Sequence, residues 1–412
     1  MISESDIGFK THTLPNGIRL IHKQTNTVVS HVGLLVNAGS RHELEHENGL
    51  AHYIEHAMFK GTMKRSSYHI ISRLEDVGGE LNAYTTKEET CVHASFLSAD
   101  YERAIDLIND IVIHAIYPEK EIEKEKEVII DEINSYKDNP SELIFDDFEQ
   151  MIYPSVPLGR PILGTPESVR SFTRSHVLKF IERNYKSNQM VLSSVGNISF
   201  EKLVRLFHKY FEDIPTSSRP TVRNTKYAYL PSEKVVENDT HQSHCIIGNV
   251  AYKLKDERRL SLFLLNNILG GPGMNSRLNM SLREKHGYTY NIESSYNPYA
   301  DTGVFTVYFG TEKEKVEKSI KLSLLEFEKL RNNKLGAIQL SRAKKQLIGQ
   351  LAIASENNEA FMLNIGKSIM VFDKVDIIEQ VYKQIEDITA SQLLSIANEI
   401  LDTKNLSTLI YQ

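Results

Sequence analysis

The residues most suited to chemistry lie in segment 52–56, HYIEH, an H-x-x-E-H pattern. The surrounding run 48–59 is apolar at helical spacing and predicts a helix. On that helix His52 and His56 share one face, and Glu55 projects from the same side. Nitrogen ligands, an open coordination position and a carboxylate that accepts a proton are the parts of a hydrolytic zinc site. The pattern predicts that His52 and His56 bind zinc and that Glu55 is the general base.

The alternative to a metal site is that the two histidines are buried for structural reasons and that the glutamate is beside them by chance. A buried glutamate between two histidines is costly unless a cation compensates it. An internal repeat adds a second argument, because Glu47–Gly61 aligns without gaps with Glu257–Gly271. In the second copy, the counterparts of His52, Glu55 and His56 are, in that order, Leu262, Leu265 and Asn266. The helix can therefore form without these polar groups, so the fold does not require them.

A third ligand should come from another element, and the helical segment Glu121–Tyr136 offers acidic candidates. Its predicted buried stripe comprises Ile122, Val128, Ile129 and Ile133. Glu125 and Glu132 are seven residues apart and lie at the margin of that stripe, on nearly one face. A solvated acidic face is the alternative for every acid of this helix. The counterparts of Glu125 and Glu132 in the second copy are Lys344 and Leu351, so acids and histidines are absent together.

Length and composition limit the remaining possibilities. A chain of 412 residues is long enough for two or more domains. The net charge is −6, so the chain lacks the excess of basic residues that is typical of nucleic-acid binders, and we expect no nucleic-acid partner. Only Cys91 and Cys245 are present, which excludes a disulfide framework and a cysteine-rich metal site. The sequence shows no signal peptide, transit peptide or membrane span, which predicts a cytoplasmic protein with no membrane partner unless a leader was trimmed.

The repeat also predicts the domain organisation. Strand-like stretches precede both copies of the aligned segment, and a hairpin followed by a helix comes after each. We predict a catalytic zinc-binding domain over 1–215, a linker over 216–234, and a degenerate repeat domain without metal ligands over 235–412. Hairpin cues such as Pro15-Asn16-Gly17 favour antiparallel pairing. The predicted fold class is α+β, with two similar tandem domains that each have a mostly antiparallel sheet and helices packed on one face.

The chain resembles the inverzincins, the zinc peptidases of the pitrilysin and mitochondrial processing peptidase type, whose signature is H-x-x-E-H. The motifs that carry the resemblance are ENGLAHYIEHAMFKGT, GGELNAYTTKEET, PLGRPILGT and GGPGMNSRLNMSLREKHGYTY. The resemblance spans nearly the whole chain. It implies that Glu132 is the last zinc ligand and that Glu125 supports the site. We expect one zinc per chain, because the second copy of the repeat has no equivalent ligands.

The resemblance also implies how substrate binds and how chains assemble. A substrate peptide would add as a strand to a sheet edge near the zinc, placing Asn82 and Ala83 beside the metal. Arg283 and either Tyr288 or Tyr290 would reach the substrate or the oxyanion, with Arg277 as a further candidate. Four such domains enclose a chamber, so a two-domain chain should pair with a second chain. A homodimer is expected, because this chain has both the zinc motif and the Gly-rich segment Gly270–Gly273; a heterodimer with a related chain is the alternative.

These observations together predict a zinc-dependent endopeptidase that cleaves peptides or unfolded segments inside a closed chamber. Two alternatives stay open. One is a non-catalytic family member that serves as an assembly subunit, and such chains usually lose part of the zinc set. The other is a zinc hydrolase of a non-peptide substrate, because fold does not fix function.

Overall fold

The computed structural model describes residues 8–220, 227–237 and 241–412. The strands are β1 (Lys10–Thr13), β2 (Arg19–Gln24), β3 (Val29–Val36), β4 (Glu80–Thr85), β5 (Thr90–Leu97), β6 (Met190–Gly196), β7 (Glu233–Val236), β8 (Ser243–Val250), β9 (Thr289–Pro298), β10 (Gly303–Thr311) and β11 (Ser407–Tyr411). The α-helices are α1 (Leu50–Met58), α2 (Ser67–Glu75), α3 (Tyr101–His114), α4 (Glu119–Lys137), α5 (Pro140–Ile152), α6 (Pro166–Ser171), α7 (Arg174–Asn184), α8 (Phe200–Phe211), α9 (Arg259–Gly270), α10 (Val316–Asn332), α11 (Ala337–Ser355), α12 (Asn358–Phe372), α13 (Ile378–Glu386) and α14 (Ala390–Ile400).

The first sheet has the strand order β1-β2-β6-β3-β5-β4. Strands β2 and β6 are parallel, and the other neighbours are antiparallel. The predicted hairpin at Pro15-Asn16-Gly17 is confirmed, since β1 and β2 pair across it. The sheet ends at β4, which pairs with β5 alone among the described strands.

Side-chain alternation along β3 divides the first sheet into two apolar faces. Val32 and Leu34 join the core that includes residues of α1 and α3. Leu35 points to the opposite face, where it packs with residues of α12. A Cβ atom at Gly366 of α12 would lie only 2.7 Å from Leu35 and 2.8 Å from Ser193, so this helix lies directly on the strands.

The second sheet has the order β7-β11-β8-β10-β9 and repeats this arrangement. Strands β7 and β11 are parallel, and the remaining pairs are antiparallel. Ile247 and Phe305 face the core that includes residues of α9, α10 and α14. Ile246 faces the other side, where Phe148 of α5 is fully buried.

The two compact units of the structure are not continuous in sequence. The first comprises Met1–Asn134, Arg160–Thr221 and Ile353–Val375, so it includes α12 from the second half of the chain. The second comprises Ser135–Gly159, Val222–Ala352 and Asp376–Gln412, so it includes α5 from the first half. Helices α5 and α12 follow the corresponding helices α4 and α11 in the two repeats, so the exchange is reciprocal.

The predicted fold class is confirmed: two similar α+β units each contain a mostly antiparallel sheet. The prediction placed helices on one face only, whereas the exchanged helix covers the opposite face of each sheet. The sequence boundaries 1–215 and 235–412 stay a prediction, and residues 221–226 of the predicted linker lie outside the described residues. Within the described ranges, no helix combines the length and apolar composition needed to cross a bilayer.

Truncating Phe148 tests whether the exchanged helix α5 is part of the second core. Phe148 is fully buried, and large-to-small changes at such sites cost about 3–5 kcal/mol. We expect Phe148→Ala to lower the free energy of unfolding by that amount, measured as a lower midpoint of urea unfolding. Gln150→Ala on the exposed side of the same helix is the matched control and should change stability by less than about 0.5 kcal/mol. Equal effects of the two changes would contradict the packing described here.

Candidate metal site

Helix α1 is a core helix that also carries polar side chains. Ala51, Tyr53, Ile54 and Ala57 are buried in the hydrophobic core of the first unit. This packing fixes the rotation of the helix. His52 is buried as well, with an exposed fraction of 7%, while Glu55 and His56 are partly buried. The predicted helix over 48–59 is confirmed, with observed bounds of Leu50–Met58.

Helix α4 buries Ile122, Ile129 and Ile133 in the same hydrophobic core as α1. The Tyr53 hydroxyl donates a hydrogen bond to the Ile122 carbonyl and ties the two helices together. The prediction that Val128 belongs to the buried stripe of this helix was wrong, because Val128 is 51% exposed. The buried stripe continues through Ile130 instead, since α4 buries two successive isoleucines at this point.

The packing of α1 against α4 brings three potential metal ligands to one point. His52 Nε2 lies 3.8 Å from one carboxylate oxygen of Glu132, and His56 Nε2 lies 3.5 Å from the other. The ligand atoms of His52, His56 and Glu132 all fall within 4.8 Å of one another. Donors around a tetrahedral zinc lie roughly 3.3 Å apart, given bond lengths of about 2.0–2.1 Å. The two nitrogens and the Glu132 carboxylate are therefore near enough to one another to bind a single zinc ion, although their separations exceed the ideal donor spacing.

Glu125 orients the His56 ring from the side away from Glu132. One Glu125 oxygen lies 3.0 Å from His56 Nδ1, so His56 Nε2 is the ring nitrogen that faces Glu132. The other Glu125 oxygen is 2.7 Å from Lys60 Nζ. Burial favours the protonated acid, but the hydrogen bonds with His56 and Lys60 lower the pKa of Glu125 below its usual value. Such a carboxylate–histidine pair fixes the tautomer and orientation of a metal-binding ring.

Glu55 lies beside the three ligands with one carboxylate oxygen uncommitted. Burial raises the pKa of Glu55, although a hydrogen bond with the Thr85 side chain opposes the rise. Its Oε2 atom is buried and has no hydrogen-bond partner among the described residues. A buried polar atom without a partner is expensive, and a water molecule held beside a metal would satisfy it.

The two histidines differ in their tendency to take up a proton. Burial lowers the pKa of His52 to about 3, and the neighbouring His56 adds to the effect, so the ring is neutral. Burial also disfavours a proton on His56, but the hydrogen bond with Glu125 and the charges of Glu132 and Glu125 raise its pKa overall. A neutral imidazole is the form that binds a metal, so His52 is ready to bind, whereas a metal would compete with a proton at His56.

The predicted peptide-binding strand is β4, at the edge of the first sheet. Asn82 and Ala83 lie in β4, opposite His93 and Val92 of β5. Ala83 packs against the core that contains α1, whereas Asn82 is exposed and, by alternation, points to the other face. The outer edge of β4 leaves main-chain groups available for pairing. A role of both residues in binding peptide stays a prediction, and for Asn82 it would rest on the main chain.

The predicted substrate-binding residues of the second half divide between two cavities of the second unit. Arg283 and Tyr290 line a cavity of about 320 Å³ together with the Gly-rich segment Gly270–Gly273. Tyr290 is 87% exposed. Tyr288 lines a different cavity, of about 890 Å³, beside α10. Their roles stay predictions, but the structure groups Tyr290, not Tyr288, with Arg283.

Arg277 is the remaining candidate of the second half. Arg277 lies 3.9 Å from Glu326, which engages its charge within the second unit. Helix α9 has Leu262 and Leu265, both buried, at the positions equivalent to His52 and Glu55. The helix is thus built with apolar side chains where the first copy has a histidine and an acid.

Sequence reasoning missed Lys60 and Thr85. Lys60 follows His56 by four residues, and that spacing was the available signal that it could share a partner with His56. Thr85 follows Ala83 by two residues on β4, so strand alternation could have placed it on the face toward α1. Both residues lie inside motifs quoted for the family resemblance, but the sequence analysis gave their side chains no role.

Comparison with family models gives matches over most of the chain. Residues 19–166 match the model described as insulinase, peptidase family M16. Residues 171–347 match the model described as the peptidase M16 inactive domain. All the residues of the three-ligand site lie in the first match, and Arg283, Tyr288 and Tyr290 lie in the second.

Curated relatives match nearly end to end. An uncharacterised zinc protease of Rickettsia felis is 33% identical, covering 98% of this chain and 97% of the relative. The mitochondrial-processing peptidase subunit beta of Saccharomyces cerevisiae is 31% identical, covering 98% and 91%. Among solved structures, a protease from Helicobacter pylori has a TM-score of 0.91 at 21% identity, covering 98% of this chain and 99% of that one. A peptidase M16 inactive domain from Pseudomonas fluorescens also reaches 0.91, at 20% identity, covering 98% and 97%.

Replacing Glu125 tests its support of His56. A glutamine cannot provide carboxylate oxygens to His56 and Lys60 at once, so Glu125→Gln should weaken zinc binding by roughly 10–100-fold. Zinc affinity would be measured by competition with a chromophoric chelator. Glu127→Gln, an exposed change on the same helix, is the control and should leave the affinity unchanged. Unaltered affinity in Glu125→Gln would rule out this supporting role.

Proposed function

Because the chain belongs to peptidase family M16, we propose that it is a zinc-dependent endopeptidase that hydrolyses peptides or unfolded polypeptide segments. The observation that carries the proposal is the convergence of His52, His56 and Glu132 beside the unpaired carboxylate oxygen of Glu55. This is a metal site with three protein ligands and a base, as a catalytic zinc centre requires. The inverzincin assignment is part of the proposal.

Each residue has a defined task in this proposal. His52, His56 and Glu132 hold one zinc ion per chain, and Glu125 orients His56. Zinc, when bound, acidifies a water molecule and polarises the scissile carbonyl. Helix α9 carries Leu262, Leu265 and Asn266 at the positions equivalent to His52, Glu55 and His56, so we place no second ion there.

Glu55 moves the proton during hydrolysis. Its carboxylate takes a proton from the attacking water as the new carbon–oxygen bond forms. The carbon–nitrogen bond then breaks, and Glu55 delivers that proton to the leaving amine. Burial raises the pKa of Glu55 and so brings it nearer to working pH, which suits a group that must both accept and release a proton.

Substrate binding is proposed to use the open edge of β4. An extended peptide would pair with the main chain near Asn82 and Ala83, so binding would demand little of the peptide's sequence. Arg283 and a tyrosine from the second half would contact the substrate or stabilise the oxyanion. Tyr290 is favoured over Tyr288, because it shares a cavity with Arg283 and is largely exposed.

A homodimer is the proposed assembly. A chain with two domains of this family supplies half of a four-domain chamber. The relative from Saccharomyces cerevisiae is named a subunit, which supports an assembly of more than one chain. The zinc ligands and the Gly-rich segment Gly270–Gly273 occur in this one chain, which favours two identical copies over a heterodimer. The cytoplasmic location stays a prediction.

The role of Glu55 is tested by Glu55→Gln, which keeps the size but removes the basic carboxylate. The variant should retain its fold and zinc, while turnover of an unfolded peptide falls by at least roughly 10²–10⁴-fold. The double change His52→Ala/His56→Ala should instead lose the zinc itself. Elemental analysis and a peptide digest measure both quantities.

The outcomes also separate the alternatives. Wild-type protein that holds zinc but cleaves no peptide would point to an assembly subunit or to a hydrolase of another substrate. Near-normal turnover by zinc-loaded Glu55→Gln would end the proposed mechanism. Full zinc occupancy in the double histidine variant would end the ligand assignment. Chelator treatment of the wild type, followed by added zinc, serves as the control for metal dependence.

The assembly is tested by light scattering coupled to an activity assay. We expect the active species to have twice the 47.0 kDa mass of one chain. A closed chamber admits short or extended chains only, so a short peptide should be cut while a tightly folded protein resists. An active monomer would contradict the proposed dimer.

A further inference from the structure

The N-terminus of helix α1 is capped from outside the helix. Its N-cap position is Gly49, which has a left-handed conformation with φ of 94°, offers no capping side chain, and is followed by no acid in the first turn. The backbone N–H groups of Gly49 and Ala51 instead donate to the two carboxylate oxygens of Glu43, at 3.0 and 2.8 Å. Glu43 therefore satisfies donors that helices leave open at their N-termini.

Glu43 is buried, with an exposed fraction of 3%. Burial raises its pKa to about 8, whereas the Ala51 and Gly49 N–H groups and the Asn48 side chain oppose the rise by favouring the carboxylate. Each oxygen accepts one backbone N–H group, so the Glu43 side chain bridges two donors of the helix start in either protonation state. The positive end of the α1 dipole favours the ionised form, against the effect of burial.

A second segment holds the same helix end, and it belongs to the PLGRPILGT motif. Asn48 Nδ2 donates to the Pro161 carbonyl at 2.9 Å. The backbones of Gly49 and Gly164 touch, since a Cβ atom on Gly49 would lie 2.8 Å from Gly164 Cα. The start of α1 is thus fixed by a carboxylate and by a backbone contact.

We propose that Glu43 is a positioning residue for the metal site, in that its carboxylate fixes the first turn of α1 and thereby the direction of the His52 ring. His52 directly follows Ala51, whose N–H group Glu43 binds. A shift of this turn moves His52 relative to Glu132, which α4 holds independently. The inference rests on the proposed zinc-binding function.

Glu47 provides a matched control on the same approach to α1. It is as buried as Glu43, with an exposed fraction of 2%. Its carboxylate accepts the Leu44 N–H group at 2.9 Å and pairs with Arg183, so it does not bind the α1 backbone. Removing the Glu47 charge disturbs a buried carboxylate without releasing the helix end.

The experiment compares Glu43→Gln and Glu47→Gln with the wild type. Glutamine has a single acceptor oxygen, so one of the two N–H groups would face an amide N–H in Glu43→Gln. We expect its zinc affinity, measured on the metal-free protein by chelator competition, to fall roughly 10–100-fold. The visible spectrum of its Co²⁺ form should change as well. Glu47→Gln should lower the urea midpoint yet keep wild-type zinc affinity and Co²⁺ spectrum.

The inference is overturned if Glu43→Gln keeps wild-type zinc affinity, or if Glu47→Gln loses as much affinity as Glu43→Gln. Should Glu43→Gln fail to fold, Glu43→Asp decides the matter, because it keeps the charge but is too short to reach both N–H groups. Reduced zinc affinity in folded Glu43→Asp supports the inference, and unchanged affinity overturns it. A wild-type protein that binds no zinc would instead refute the proposed function.

Discussion

The imidazole of His52 and the carboxylate of Glu55 lie in a helix whose other side chains form the hydrophobic core, so each polar group must be compensated without loosening the packing. An uncompensated charge at this position would cost several kcal/mol. The structure compensates these groups in part from outside α1: Glu132 faces the two histidines, Glu125 orients His56, and Thr85 contacts Glu55. Among the described residues, His52 Nδ1 and Glu55 Oε2 have no hydrogen-bond partner. The helix can then keep Tyr53 and Ile54 fully buried and remain rigid.

The second copy of the repeat shows whether the fold itself needs these polar groups. Helix α9 has the same place beside its sheet, with Leu262 and Leu265 buried where α1 carries His52 and Glu55. Helix α11 likewise has Lys344 and Leu351 where α4 carries Glu125 and Glu132. The same frame therefore forms without metal ligands, so the fold does not require the polar set of the first copy.

The exchange of α5 and α12 explains how both faces of each sheet are covered. Strands β3 and β8 present apolar residues on both sides, for example Leu34 and Leu35 of β3. Leaving the second face bare would expose a large apolar surface. Each repeat supplies the covering helix for the other sheet, so each unit contains a helix from the other half of the chain.

The sequence alone determined those features that depend on short-range spacing. One helical turn places His52, Glu55 and His56 together, strand alternation predicts the β4–β5 hairpin, and the repeat predicts two α+β units. Glu132 followed from the family resemblance, because spacing alone left it equal to Glu125. Only the tertiary structure decided that Lys60 pairs with Glu125, that Glu43 caps α1, and that Val128 is exposed while Ile130 is buried. It also decided that α5 packs on the second sheet and α12 on the first. The apolar face of a helix indicates that the helix is buried, but it does not indicate against which sheet. The physical reason is that periodicity is encoded by neighbours in sequence, whereas partners across the core are chosen by packing between distant segments.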